Sequence, residues 1–266
     1  MLQNVQNALD SVLGSSATLR NSRGAGRMFE LFVMTGIARK LVDEGFNVWL
    51  QRSDGTPIAP GDPDRRFIQR GGAPTGVMGV NQGPNNASVI GFRGASGQAW
   101  EIWNGIQFEG RSGALHEIDL AIVPRDVGET LRAQPSGGIP VGRPRIAIEC
   151  KDVGAAGSVD EMRAFVARLY DLTLLEVHHN FLPYALPRKA IHPGAPPGNT
   201  HEAAETFRDE NMRTLNIVAR RTGFASGAMD MTQYYWIEAH DGITAGAANA
   251  QDLIISVVDW IVDNNY

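Results

Sequence analysis

Arg145-Ile146-Ala147-Ile148-Glu149-Cys150-Lys151 decides the reading of this chain, together with Ile118-Asp119-Leu120-Ala121-Ile122-Val123 upstream. Both stretches are short apolar runs with β-branched residues, the pattern of buried strands. Each also carries ionisable residues where a core strand should have none. Side chains alternate along a strand, so Glu149 and Lys151 project to one face while Ile148 and Cys150 project to the other. An acid and an ammonium then stand about 7 Å apart along one side of a sheet. Burying either charge alone is costly, and a bound cation with its hydration shell offsets the carboxylate's share of that cost.

Working outward, Leu2, Val5, Leu9 and Val12 form one stripe of a helix over 1–13. A longer helix is expected from Gly24 to Glu44, with Phe29, Phe32, Val33, Ile37, Leu41 and Val42 on its apolar face. Gly45 suits the left-handed position after it. A strand is expected over Phe46–Leu50, then an insertion or long loop region from Arg52 to Gln98, rich in Gly, Pro, Asn and Arg and with room for short strands. Trp100–Phe108 and His116–Val123 read as a hairpin, turned by Gly110-Arg111-Ser112-Gly113. Gly128–Pro144 reads as a loop.

Downstream of Lys151, Ser158-Val159-Asp160-Glu161 has the form of a capping box. The helix it opens carries Met162, Phe165, Val166 and Leu169 on one side. A further strand is expected over Leu172–Val177, an irregular proline-rich tract over Pro183–Pro197, a helix over His201–Arg221 and a strand over Tyr234–Ala239. Leu253, Ile254, Val257, Val258 and Ile261 mark a C-terminal amphipathic helix.

Asp119 followed by Glu149-Cys150-Lys151 resembles the PD-(D/E)xK nuclease superfamily, the restriction-endonuclease-like fold. In that family an Asp lies on one strand of a hairpin, the E-x-K tripeptide lies on the next strand, and a Glu comes from the first core helix. Gly26-Arg27-Met28-Phe29-Glu30 is similar to this third element, and a capped helix follows E-x-K. Ile118 stands where the family's eponymous proline would be. The 30 residues from Asp119 to Glu149 require an insertion between the strands.

The resemblance implies an α/β fold with a mixed central sheet flanked by helices and loop-rich insertions. It implies a single domain over 1–266, with a core over about 22–180 and a C-terminal extension over about 200–266. Catalytic roles fall to Glu30, Asp119, Glu149 and Lys151. Mg²⁺, with Mn²⁺ as a substitute, would be held by Asp119, Glu149 and the Cys150 backbone carbonyl, with Glu30 acting through a water or a second ion. The activity implied is hydrolysis of phosphodiester bonds in DNA, in restriction or anti-phage defence. The alternatives are an RNA- or structure-specific nuclease on the same scaffold, and a non-cutting nucleic-acid-binding subunit of a larger complex.

Composition sets further bounds. The net charge is −5, which differs from the basic balance of proteins that wrap nucleic acid, although the local field matters more. Phosphate contacts fall to Arg20, Arg23 and Arg27, which lead up to Glu30; His116, three residues before Asp119, reads either as another nucleic-acid contact or as a solvated strand-end histidine. Arg163 and Arg168 read as solvated surface. No apolar run reaches the roughly 18 residues needed to span a bilayer, so no membrane association and a cytoplasmic location are expected. Cys150 is the only cysteine and reads as a small core residue. The terminal stripes are candidates for a self-association surface, in a homo-oligomer, or else cap the core; separately, a partner subunit or an oligomer is expected to complete the DNA surface of an acidic chain with large insertions. Two rivals concern the site itself. Glu149 and Lys151 as a plain ion pair on an edge strand is one; Glu117, two residues from Asp119 on the same face, taking its place is the other.

Overall fold

The computed structural model describes residues 1–13, 18–20, 25–59, 66–69, 87–135, 137–173 and 212–264. In chain order they form α1 (Leu2–Leu13), β1 (Thr18–Arg20), α2 (Ala25–Asp43), β2 (Asn47–Arg52), β3 (Arg66–Ile68), β4 (Ser88–Arg93), β5 (Ala99–Glu109), β6 (Leu115–Pro124), α3 (Arg125–Arg132), β7 (Ile146–Lys151), α4 (Val159–Leu172), β8 (Leu215–Arg220), α5 (Ser226–Tyr234), β9 (Glu238–His240) and α6 (Ala248–Asp263). Seven strands make one mixed sheet in the order β2-β4-β5-β6-β7-β8-β9. Pairing is antiparallel from β2 to β7 and parallel from β7 to β9. β1 and β3 pair separately.

Helices cover both faces. On one, Phe29, Val33 and Ile37 of α2 and Leu253 and Val257 of α6 pack against Leu120, Ile148 and Ile217. On the other, Val127 of α3, Phe165 and Leu169 of α4 and Ala228 of α5 meet Trp103, Val123 and Val218. β7 and β8 are buried on both sides, and β7 accordingly opens as the apolar run Ile146-Ala147-Ile148. Gly45 takes φ +85°, as its place after α2 requires. Ser158 and Glu161 form the expected reciprocal capping box.

Several expectations are corrected. Within 52–98, β4 is a core strand hydrogen-bonded between β2 and β5. Its glycine hid it: Gly91 faces Trp49 across the sheet, where a Cβ would collide with the indole ring. The helix expected over His201–Arg221 is, in its last part, the strand β8. Tertiary pairing between β7 and β9 overrides a pattern compatible with either state, and 201–211 lie outside the described residues. The stretch 125–132, half of it expected to be loop, is α3. Leu172 ends α4 rather than opening a strand, and 174–177 lie outside the described residues. Tyr234 closes α5, so the strand expected there is only β9. Where an extension is expected over about 200–266, the described residues place β8, β9 and α6 in the main sheet and its core. Val5, Leu9, Val257 and Ile261 are buried in that core, so most of the two terminal stripes packs within the chain, while Leu2 at the start of α1 is exposed.

One irregularity positions the site. Between the β5–β6 pairs Asn104↔Leu120 and Ile106↔Ile118 lie Gly105 and Asp119. Gly105 has φ +59°, a left-handed conformation that suits glycine. Here the strands roll over: Ile102 and Leu120 face the α2 side, whereas Ile106 and Ile118 face the α4 side. Asp119 sits at the roll.

Placing β4 in the sheet yields a test. Gly91→Ala should force Trp49 from its seat and lower stability by about 1–3 kcal/mol, the usual range for overpacking. Urea unfolding followed by tryptophan fluorescence measures this.

Candidate functional site

β6 and β7 pair through Ile122↔Ile146, Ala121↔Ala147 and Leu120↔Ile148, and the ladder ends there. The next free amide, that of Cys150, donates to Asp119 Oδ2 at 2.7 Å. A carboxylate thus replaces a backbone carbonyl where the strands part. This fixes the register in favour of Asp119 over Glu117. Lys151 and Glu149 lie on the same face, as strand alternation requires, with Nζ 2.5 Å from Glu149 Oε1 and 3.9 Å from Asp119 Oδ2. β7 is an interior strand, so the edge-strand ion pair is ruled out. Cys150 faces the opposite side and is buried in the α2-side core; burial, then the charge of Asp119, pushes its thiol up.

Glu30, in the first turns of α2, completes the group. Its Oε2 accepts from Asn104 Nδ2 at 2.8 Å and from Gln69 Nε2 at 3.2 Å. Asn104 Nδ2 also donates to the Asp119 carbonyl at 3.0 Å, tying α2 to β6 through a β5 side chain.

Sequence reasoning missed three participants. Arg168, taken for surface, donates to Glu149 Oε1 at 2.6 Å and to the Glu117 carbonyl at 3.1 Å. Its position three residues after Phe165, beside the buried stripe of α4, was the available signal. Asn104 is a buried polar residue within an apolar strand, the same anomaly that exposed Asp119. Gln69 gave no signal, since it follows the three-residue strand β3.

The arginine expectations divide. Arg27 lies close enough for its charge to act on Glu30 and Glu117. Arg20 lies on β1, and Arg23 lies outside the described residues. His116 is engaged elsewhere: its Nε2 is 2.7 Å from Asp171 Oδ2, and the same oxygen accepts from Ser112 Oγ at 2.6 Å. Burial opposes ionisation of Asp171, but these hydrogen bonds outweigh it and hold its carboxyl below the usual range.

The centre is crowded with negative charge. Burial first, then the neighbouring Glu149 and Glu30 charges, push the Asp119 carboxyl up to about 8, against the pull of Lys151 and the Cys150 amide. Burial also raises Glu30, opposed by the hydrogen bond from Asn104. Glu117 is raised by burial and by Glu149. For Lys151, burial disfavours the ammonium, but the Glu149 and Asp119 charges outweigh it and leave the pKa raised.

A divalent cation fits this donor set. Glu149 Oε2 is buried without a hydrogen-bond partner, and the available donors are hard oxygens with no thiolate or imidazole among them. Among the described residues, no three acidic, histidine or cysteine side chains already converge as a metal cluster. No family model, curated protein or solved structure matches this chain.

The Asp119 shift predicts a pH dependence. Its carboxyl binds its proton more tightly folded than unfolded, so between about pH 4, the unfolded value, and about pH 8 metal-free stability falls as pH rises. Asp119→Asn should therefore raise the melting temperature at pH 8 in chelator, with the gain shrinking toward pH 4. Thermal melts across that range measure it.

Proposed function

We propose that this protein is a divalent-cation-dependent nuclease that hydrolyses the phosphodiester bonds of DNA, with Glu30, Asp119, Glu149 and Lys151 as its catalytic group. The observation that supports this reading is Lys151 set between Glu149 and Asp119, with Glu30 tied to the Asp119 backbone through Asn104 and a buried Glu149 oxygen lacking any hydrogen-bond partner. The order of helix, hairpin, E-x-K strand and capped helix is the order that the resemblance to the PD-(D/E)xK superfamily implies. By the same resemblance the role is restriction or anti-phage defence.

Asp119, Glu149 and the Cys150 carbonyl would hold Mg²⁺ or Mn²⁺, with Glu30 joining through a water. When bound, the ion acidifies a water and neutralises charge on the phosphate. Lys151 orients the attacking water and balances negative charge developing on the phosphoryl oxygens. The water oxygen bonds to phosphorus and the sugar oxygen leaves as a hydroxyl. Arg168 fixes the Glu149 carboxylate, and Arg27, with Arg20 and Arg23, supplies phosphate contacts. One centre reaches one strand at a time, so a duplex break needs a second copy or two successive nicks. Among the described residues no helix is long and apolar enough to cross a membrane.

A second reading is favoured by one observation: Lys151 and Arg168 already pair with Glu149, as in an ionic cluster retained by a non-cutting nucleic-acid-binding subunit. Plasmid, linear and single-stranded DNA and RNA, incubated with the protein in Mg²⁺ or chelator, separate the readings. The expected result is Mg²⁺-dependent cutting of DNA; cutting of RNA alone would move the substrate, and binding without cutting would favour the subunit.

Asp119→Ala, Glu149→Ala and Lys151→Ala should each slow cutting by about 10²- to 10³-fold or more while retaining DNA binding in a gel-shift assay. Glu117→Gln, which leaves the Cys150 amide its carboxylate, should change the rate by less than about tenfold. An Asp119→Ala protein that cuts at the wild-type rate removes the assignment.

A further inference from the structure

We propose that Gln69 and Asn104 are positioning residues for the Glu30 carboxylate and that, through it, they set the affinity of the centre for a divalent cation. This rests on the nuclease reading only for its choice of cation.

Two side-chain amides from separate elements, the segment after β3 and the middle of β5, direct their N–H groups at the same oxygen, Glu30 Oε2. Each also donates to a backbone carbonyl beside the centre, Gln69 to Arg27 and Asn104 to Asp119. These four hydrogen bonds, to three acceptors, settle the orientation of both amides, because reversing either would set oxygen against oxygen.

The other half of each amide makes the role specific. Gln69 Oε1 and Asn104 Oδ1 are buried and accept no hydrogen bond. Most buried polar atoms are paired, and leaving one unpaired is costly. Two neighbouring amides that satisfy only their donor side are there for those donors. Glu30 is carried on a helix, whereas Asp119 and Glu149 are carried on the sheet. Without a link, the helix carboxylate would sample rotamers independently of the other two. Asn104 closes that gap directly, touching Glu30 with one hydrogen and the Asp119 backbone with the other. Gln69 does the same toward the first turn of α2. Partners of this kind typically change metal affinity by about 10- to 100-fold when removed.

The test is calorimetric titration of Mn²⁺ into the full chain, for wild type, Glu30→Gln, Asn104→Leu, Gln69→Leu and the doubles that combine Glu30→Gln with each leucine. Asn104→Leu and Gln69→Leu should each weaken Mn²⁺ binding by about tenfold or more. In the Glu30→Gln background neither should weaken it further, because the group they orient is already gone. A merely structural role would move the melting temperature without this loss of additivity. If Asn104→Leu does not fold, Gln69→Leu gives the answer alone. Additive losses, or unchanged affinity in the single variants, overturn the proposal, as does a wild type that binds no Mn²⁺. A wild type that shows the coupling yet cuts no nucleic acid leaves the positioning role standing and removes the nuclease reading.

Discussion

The hydrogen bond from the Cys150 amide to the Asp119 carboxylate is the contact on which the centre depends. An interior strand must satisfy its backbone groups, and ordinarily a neighbouring carbonyl does so. Here β6 rolls away at Gly105 and Asp119, β7 continues, and the side chain of one strand takes over the ladder of the other. The same atom that completes the sheet is thereby delivered, held and partly buried, next to Glu149 and Lys151. Structure and site share a single oxygen.

That arrangement carries an electrostatic cost. Asp119, Glu149, Glu30 and Glu117 stand together with Lys151, Arg168 and Arg27 as the opposing charges, and burial disfavours the ionised form of three of the four acids. A centre built for stability would replace such a cluster with apolar residues of similar volume, which is often neutral or stabilising. Strongly perturbed carboxyls beside an unpaired buried oxygen are what the proposed catalytic role would account for. Arg168 and Asn104 reduce the strain from opposite sides of the sheet, one through a charge and the other through a neutral donor.

Much of this was legible in the sequence. A charged residue within an apolar strand is an anomaly that periodicity alone exposes, and Asp119, Glu149 and Lys151 were found by it. Ser158 with Glu161 announced α4, and the Gly110–Gly113 turn announced the β5–β6 hairpin. What stayed hidden depended on partners distant in the chain. β4 looked like loop because Gly91, a weak strand residue, is there to seat Trp49. β8 looked helical because six residues, four of them apolar, have no unambiguous period until β7 and β9 flank them. Gln69 and Arg168 have ordinary local sequence, and only the fold brings them to the acids.

The most direct measurement is the anomalous scattering of Mn²⁺ in crystals of the protein grown or soaked with that ion. The account predicts a peak at coordination distance from both Asp119 and Glu149, with Lys151 Nζ displaced from its contact with Glu149 Oε1. No peak there at millimolar Mn²⁺, or an ion bound elsewhere with the Lys151–Glu149 contact intact, would contradict it.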